Sequence, residues 1–293
     1  MKRILLISAL LLTVIFTVNA DRRRLLTTRN VAAGAATLLP LEELTTASYA
    51  SWGVGRKLTN AYAGSLALVV RSSDKATNYL VSSGTGNNIS DILTWAGSDN
   101  VYVTNLFDQT GNGRHLVQGD TNLCPLIVTN GVAITKNSKT VMRFRDDDYL
   151  ITSALSPILP LTFVVPVYND SRTAGDVIFS GNSSVRTAIK QGAAAVYNID
   201  SGGASFNTAD ALSLDVWDVV TAIFVTGTDS AQINAGTATT GAAGDNSATA
   251  LLLGYPGVCP DMQICDLFVF NTSLSATDSG AVRTNVVNFY ALP

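Results

Sequence analysis

The run LFDQTGNGRHLVQ, from Leu106 to Gln118, gathers residue types that do chemistry, including the chain's one histidine, His115. Asp108, Thr110 and Asn112 precede Gly113 at alternate positions. A calcium loop begins this way, with oxygen ligands from every second residue. The acid such a loop needs at its twelfth position is replaced by Gly119, so Asp146, Asp147 and Asp148 would have to complete the shell. Without an ion, the same residues read as a Gly-Asn-Gly turn between strands, with Asp108 and Asn112 bonding the turn's backbone donors. A Ser-His-Asp triad would need His115, and no G-x-S-x-G elbow accompanies it. One histidine and three cysteines, one of them remote, give no zinc set. No cofactor is therefore expected, with calcium as the exception to test.

Carboxylate chemistry falls to aspartate, because Glu42 and Glu43 are the only glutamates. Aspartate favours turns and glutamate favours helices, so this bias also signals many strands and few helices. Sugar recognition would need aromatic faces beside planar hydrogen-bonding groups. Trp52, Trp95, Trp217 and the tyrosines are the candidates. Trp217 lies in an apolar run and reads as core. Trp95, near Gly97, Asp99 and Asn100, reads as the better exposed platform or equally as core, with Asn112 and Asp108 as groove residues and His115 as a structural or groove-lining residue.

The chain opens with Lys2 and Arg3, an apolar run from Ile4 to Val18, and a small-residue exit at Val18-Asn19-Ala20. That is the layout of a secretory leader, residues 1–20, cleaved after Ala20, and it is shorter than a spanning helix needs. A retained N-terminal anchor is the alternative. The expectation is a secreted or cell-surface protein with no membrane span after leader removal. Residues 21–46 read as a lead-in or tether, and Arg22-Arg23-Arg24 as a solvated start or a protease processing site. Residues 47–293 then suit one large all-β domain.

Charged residues are 14% of the chain and the net charge is −3, with no basic stripe to neutralise phosphates, which excludes nucleic acid as a partner. An oxidising compartment would allow one disulfide among Cys124, Cys259 and Cys265. Cys259 with Cys265 closes the shortest loop, and Cys124 with either is equally legal. Sequons at Asn88, Asn169, Asn182 and Asn271 would mark surface loops if glycosylated.

The elements that must position these residues are short apolar runs separated by Gly, Asn, Asp, Ser and Thr. They lie at 66–71, 101–107, 125–128, 141–145, 161–168, 176–181, 194–199, 217–227, 250–255 and 264–270. Strand-length runs with turn clusters between them predict a sandwich or barrel. Residues 226–250 read as a hairpin with a Gly/Ala/Thr loop. One helix is predicted near the C-terminus. There Ser275 and Asp278 resemble a capping box, and Val282, Val286 and Phe289 recur at helical spacing.

Two blocks carry a family resemblance. VGRKLTNAYAGSLALVVRSSDKATNYL, 54–80, precedes VTNLFDQTGNGRHLVQ, 103–118. The order and spacing of "RSSD…AT" and "DQ-x-GNG-x-H" resemble the catalytic domain of α-L-arabinofuranosidase B, glycoside hydrolase family 54. The C-terminal half is similar, more diffusely, to concanavalin-A-like and laminin-G-like sandwiches. The resemblance implies an antiparallel jelly-roll β-sandwich with one short C-terminal helix. It also implies a retaining glycosidase, which needs two carboxyl groups ~5–5.5 Å apart.

The chain departs from the family where that chemistry sits. The family's glutamate nucleophile falls in a "V-D-M-E-N-N" segment, whose counterpart here, VYNIDSGG, offers Asp200, one methylene shorter, with Asn198 at the family's Asp position. The family's acid/base aspartate follows an "I-L-G" strand, and LLLGYPGVCPDMQ offers Asp261, displaced by a few residues. Both also read as turn residues. A misplacement of about 1 Å can cost ~10²-fold, so the shorter acid matters. The leading expectation is a glycan-recognising sandwich without efficient hydrolysis. An active α-L-arabinofuranosidase using Asp200 and Asp261 is the first rival. A self-associating structural subunit, suggested by low charge and a spare cysteine, is the second.

Overall fold

The run Leu161–Asn169, LTFVVPVYN, is apolar along most of its length because both of its faces are covered. Phe163, Val165 and Val167 enter one core, and Val164 enters a second. Asp266–Phe270 divides the same way, with Leu267 and Val269 in the first core and Phe268 and Phe270 in the second. A strand with one wet face alternates polar and apolar residues, whereas a strand covered twice reads as a continuous run.

These strands lie at the centre of the computed structural model, which describes residues 38–155, 159–181, 187–202, 204–245 and 248–292. The expected leader, most of the lead-in and Asn182 lie outside the described residues. Hydrogen bonds join twenty described strands into one sheet that folds as an antiparallel jelly-roll sandwich. Leu161–Asn169 pairs with Trp217–Phe224 from Leu161↔Phe224 to Tyr168↔Trp217. Its other edge pairs with Asp266–Phe270 and Met262–Ile264. Every apolar run read from the sequence overlaps a strand. The 226–250 segment contains the hairpin Asp229–Ile233 with Thr239–Gly241.

Helix α1, Ile89–Ala96, was not expected. It buries Ile92 and Ala96 but has no side-chain cap, because the Asn88 side chain accepts from the Val81 N–H at 2.8 Å instead. Helix α2, Ala276–Tyr290, starts as predicted, with the Ser275 hydroxyl accepting the Asp278 N–H at 3.0 Å. Val282, Val286 and Tyr290 of α2 close the second core against the sheet. The compact unit begins at Leu39, so the last residues of the lead-in are folded. Leu41 and Leu44 pack on the second core, and the hydroxyls of Thr45 and Thr46 donate to Asp278.

The bridge between Cys259 and Cys265 is not formed, and all three cysteines are free and buried. Cys259 belongs to the first core and Cys265 to the second, so they face opposite sides of the sheet. The run Asp146-Asp147-Asp148 clamps the segment from Gly257 to Cys259. The Asp146 carbonyl accepts from Cys259 N at 3.0 Å, and the Asp147 carboxylate from Gly257 N at 2.8 Å. Asp148 is 8% exposed and accepts the Arg145 N–H at 2.9 Å.

One buried charge pair ties the sheet to α2. Arg56 Nε donates to Asp266 Oδ2 at 2.9 Å, and Nη2 lies 2.9 Å from the same oxygen, off the hydrogen-bonding direction. Arg56 Nη1 donates to Asn285 Oδ1 at 2.8 Å, and the Tyr290 hydroxyl donates to Asp266 Oδ1 at 2.9 Å. Removing one partner of such a pair leaves an uncompensated buried charge. Asp266→Ala is therefore expected to lower unfolding free energy by about 3–5 kcal/mol in a urea titration.

Burial raises the Asp148 carboxyl from 3.8 to about 7. The folded chain then holds this proton over a range where the unfolded chain has lost it. The associated stability is complete below 3.8 and is lost as pH rises through about 7. Urea midpoints of the wild type should carry this downward contribution between those values, and Asp148→Asn should flatten it.

Candidate functional site

The Asp-Gln dipeptide at the head of the histidine loop has two separate structural tasks. Asp108 is 1% exposed and closes the loop on itself. Its Oδ1 accepts the N–H groups of Ser51 at 3.1 Å and Thr110 at 3.0 Å, and its Oδ2 accepts the Arg114 N–H at 3.1 Å. The Thr110 hydroxyl also reaches the carboxylate, at 2.8 Å from Oδ1. Gln109, equally buried, ties down the segment from Gly53 to Leu58. Its Oε1 accepts the Leu58 N–H at 2.8 Å, and its Nε2 donates to the carbonyls of Gly53 and Arg56. Gly111 and Gly113 have φ of +82° and +72° with open space where a Cβ would sit, so the turn's backbone, not crowding, requires glycine there.

Asp108, Thr110 and Asn112 do come together, but their polar atoms bond one another and the backbone. Asn112 Nδ2 donates to the Tyr49 carbonyl at 3.0 Å and to the Thr110 hydroxyl at 2.9 Å. No group of three acids, cysteines or histidines among the described residues could hold a metal. His115 is a positioning residue in this loop. Its Nδ1 accepts the Asp108 N–H at 3.0 Å, and its ring meets Phe107 edge-on at 5.1 Å. That bond leaves the proton of the neutral ring on Nε2.

Beside this latch lies a cleft of about 350 Å³. Ser48, Thr59, Tyr62 and Thr110 line it with hydroxyls and Asn112 with an amide, while the Gln109 amide behind them is buried and bonded to the backbone. Leu41, Ala47 and Ala61 add small apolar surface, and no charged side chain lines it. Burial, and then the nearby Asp108 charge, hold the Tyr62 phenol above its ordinary range, and it donates to the Ser65 carbonyl at 2.5 Å. Sequence reading found the 109–112 side of this cleft and missed Ser48, Thr59 and Tyr62. The signal available was the aromatic at Tyr62, inside the first motif block.

Asp200 and Asp261 are not brought together. In the hairpin Ala188–Gln191 with Val196–Asp200, Asp200 pairs with Ala188, and Tyr197 with Gln191. Asp261 sits at the Gln191 end, where the Gln191 side chain donates to the Ser171 carbonyl and Ser171 N donates to the Asp261 carbonyl. Three residues of strand, ~10 Å, separate those ends. A retaining pair needs ~5–5.5 Å. Asp200 is instead ion-paired with Lys190 and accepts the Gly202 N–H at 2.8 Å.

Asp261 has a different neighbour, Asp170, whose N–H donates to the Asp261 carbonyl at 2.9 Å. Burial raises the Asp170 carboxyl, with the charges of Asp261 and Asp215 adding to it. Gln263 Nε2 lies 3.3 Å from both Asp170 oxygens. Asp170 was missed in the sequence because it stood inside the Asn169 sequon, which read only as a surface loop.

The remaining candidates are corrected by burial. Trp95 is half-buried against the core, and the Arg71 guanidinium lies 5.0 Å over its ring, so it offers no free platform. Asn169 is fully buried, with its amide bonded to Tyr197 and Gln191, and is closed to glycosylation in the folded chain. Asn88 is half-buried and its side-chain oxygen is engaged, whereas Asn271 is exposed.

Residues 42–139 match the sequence model of the family described as alpha-L-arabinofuranosidase B, catalytic. This span contains both motif blocks, the latch and every residue lining the cleft except Leu41, and the resemblance read from the motifs is borne out there. No curated protein sequence matches the chain. One similar solved structure is a mutant glycoside hydrolase family 54 α-L-arabinofuranosidase soaked with 4-nitrophenyl α-L-arabinofuranoside, with TM-score 0.67 and 15% identity. The alignment covers 83% of this chain and 63% of that one. Another is an arabinofuranosidase complexed with arabinofuranosyl-α-1,2-xylobiose, with TM-score 0.68 and 16% identity, covering 86% of this chain and 65% of that one. At this identity the likeness shows the fold, and the chain spans less than two thirds of either structure.

The latch makes a graded prediction. Asp108→Ala strands three backbone donors and should cost about 2 kcal/mol or more, read by urea unfolding. His115→Gln keeps an acceptor in reach and should cost about 1 kcal/mol or less. Calcium or a chelator should leave the melting temperature unchanged, and a calcium-dependent rise would show that the loop holds an ion.

Proposed function

We propose that this chain is a secreted protein that recognises neutral carbohydrate in the latch cleft and does not hydrolyse it efficiently. The observation that carries this reading is the cleft's lining of hydroxyls, an amide and a tyrosine with no carboxylate among them. Hydroxyls and amides both donate and accept, which matches sugar hydroxyls. The small apolar residues beside them suit the less polar face of a sugar ring. The arabinofuranosidase resemblance supports arabinose-containing glycans as the first to test.

A second reading, residual arabinofuranosidase activity, is favoured by one observation. Asp170 and Asp261 are neighbours, and Asp170 carries the raised carboxyl that a general acid needs. In this reading Asp170 would protonate the leaving oxygen while Asp261 takes a proton from the water that replaces it at the anomeric carbon, with Asp200 uninvolved.

A glycan array and calorimetry with arabino-oligosaccharides test the first reading. Binding is expected for the wild type, and binding of single arabinose units is expected to be lost in Ala61→Trp, whose side chain fills the cleft, while failure to bind any glycan would refute it. A 4-nitrophenyl arabinofuranoside assay separates the two readings. No turnover above buffer is expected. Release that vanishes in both Asp170→Asn and Asp261→Asn, but persists in Asp200→Asn, would establish the second.

A further inference from the structure

The pairing registers place a row of planar side chains across the outer face of the sheet. Tyr102 pairs with Leu126, Leu126 with Arg143, Arg143 with Gln263, and Gln263 with Tyr168. Directly paired residues in an antiparallel sheet share a face. Core residues flank each of them in its strand: Val101 and Val103, Met142 and Phe144, Met262 and Ile264, and Val167. The row therefore points away from the first core. Tyr102, Arg143, Gln263 and Tyr168 are half-buried, and Leu126 is a 6%-exposed floor between the first two.

One row along, Val141 and Cys265 belong to the core under α2, so the helix bounds the strip on that side. At the other end Tyr168 is braced by the Trp217 ring, 5.8 Å away, and its hydroxyl bonds Asp215. Asp170 is bonded by Gln263 there. The strip also leaves a polar group unanswered: Arg143 Nε is buried without a hydrogen-bond partner among the described residues. An orphaned buried donor calls for a ligand or a water.

We propose that Tyr102, Leu126, Arg143, Gln263, Tyr168 and Asp170 form a second, extended glycan-binding strip that seats a linear neutral polysaccharide across the strands. The strip is distinct from the latch cleft, and the proposal rests on the carbohydrate reading above. Four strand spacings separate the two tyrosines, ~19 Å at ~4.8 Å each, which is the reach of several sugar units rather than one. The tyrosines offer ring faces for the chain's apolar faces at both ends. Arg143 and Gln263 donate to hydroxyls between them, and Asp170 accepts. Asp170, Asp215 and Asp261 gather at one end, so a polymer of uronic acids would be repelled.

Affinity gels of soluble arabinoxylan and of polygalacturonate, with calorimetry on neutral oligosaccharides of increasing length, test the strip. The wild type should be retarded by arabinoxylan and not by polygalacturonate, with affinity rising as the oligosaccharide lengthens. Tyr102→Ala and Tyr168→Ala should each weaken polymer binding roughly tenfold. Ala61→Trp should abolish binding of single arabinose units yet keep most of the polymer retention. The length dependence needs no variant, so it decides the matter if Tyr168→Ala fails to fold. Flat length dependence, or polymer binding lost in Ala61→Trp but intact in both tyrosine variants, overturns the strip and leaves the cleft reading standing. No glycan binding by the wild type overturns both. Tyrosine variants that change only the oligomeric mass show instead that the strip packs against a second copy of the chain.

Discussion

The buried pair of Arg56 and Asp266 is the constraint around which the rest is arranged. Asp266 is fully buried, which alone raises its carboxyl, and the Arg56 charge opposes that shift. A charge can be held in such a place only where its remaining hydrogen-bonding positions are filled. Tyr290 and Asn285 from α2 fill them, and the Phe289 ring lies 4.1 Å from the guanidinium carbon. The segment around Arg56 must therefore pass close to both partners. A Cβ on Gly53 would lie 2.6 Å from Asp266 Oδ1, and one on Gly55 would lie 2.3 Å from the Tyr290 hydroxyl. The same segment is held from its other side by Gln109. The charge pair, the latch and the cleft are thus one assembly, built from chain segments far apart in sequence.

This assembly accounts for the motif without catalysis. Asp108 and Gln109 are among the most conspicuous polar residues in the sequence, and both are consumed by backbone donors and acceptors. Their products are a fixed loop and a fixed neighbouring segment, which together leave a neutral cleft between them. A different group of carboxylates lies at the end of Leu161–Asn169. There the chain turns from strand into loop and packs Asp170 against Asp261.

Much of the architecture was legible in the amino-acid sequence. The apolar runs marked the strands because a run covered on two faces leaves no position for polar residues, as in Leu161–Asn169. Ser275 marked the start of α2 because an N-cap is a local bond to a backbone N–H three residues on. The Gly-Asn-Gly turn was legible because a positive φ is a property of single residues. Helix α1 was not legible, since eight residues without a side-chain cap carry little local signal.

What the sequence determined by itself is therefore local or periodic: strands, the capped helix, the turn, and the order of two motif blocks. What the tertiary structure decided depends on which residues face each other across the sheet. It separated Cys259 from Cys265 by putting them in different cores. It set Asp200 and Asp261 at opposite ends of a hairpin and gave Asp261 a new neighbour in Asp170. It buried Asn169 and covered Trp95 with Arg71. It also aligned Tyr102, Arg143, Gln263 and Tyr168 in a row across five strands. Trp95 on α1 and Asp261 in its loop are placed by packing between elements, and for Asn169 and the aligned row the cause is register. A shift of one residue turns a side chain to the opposite face, and only the assembled sheet fixes that choice.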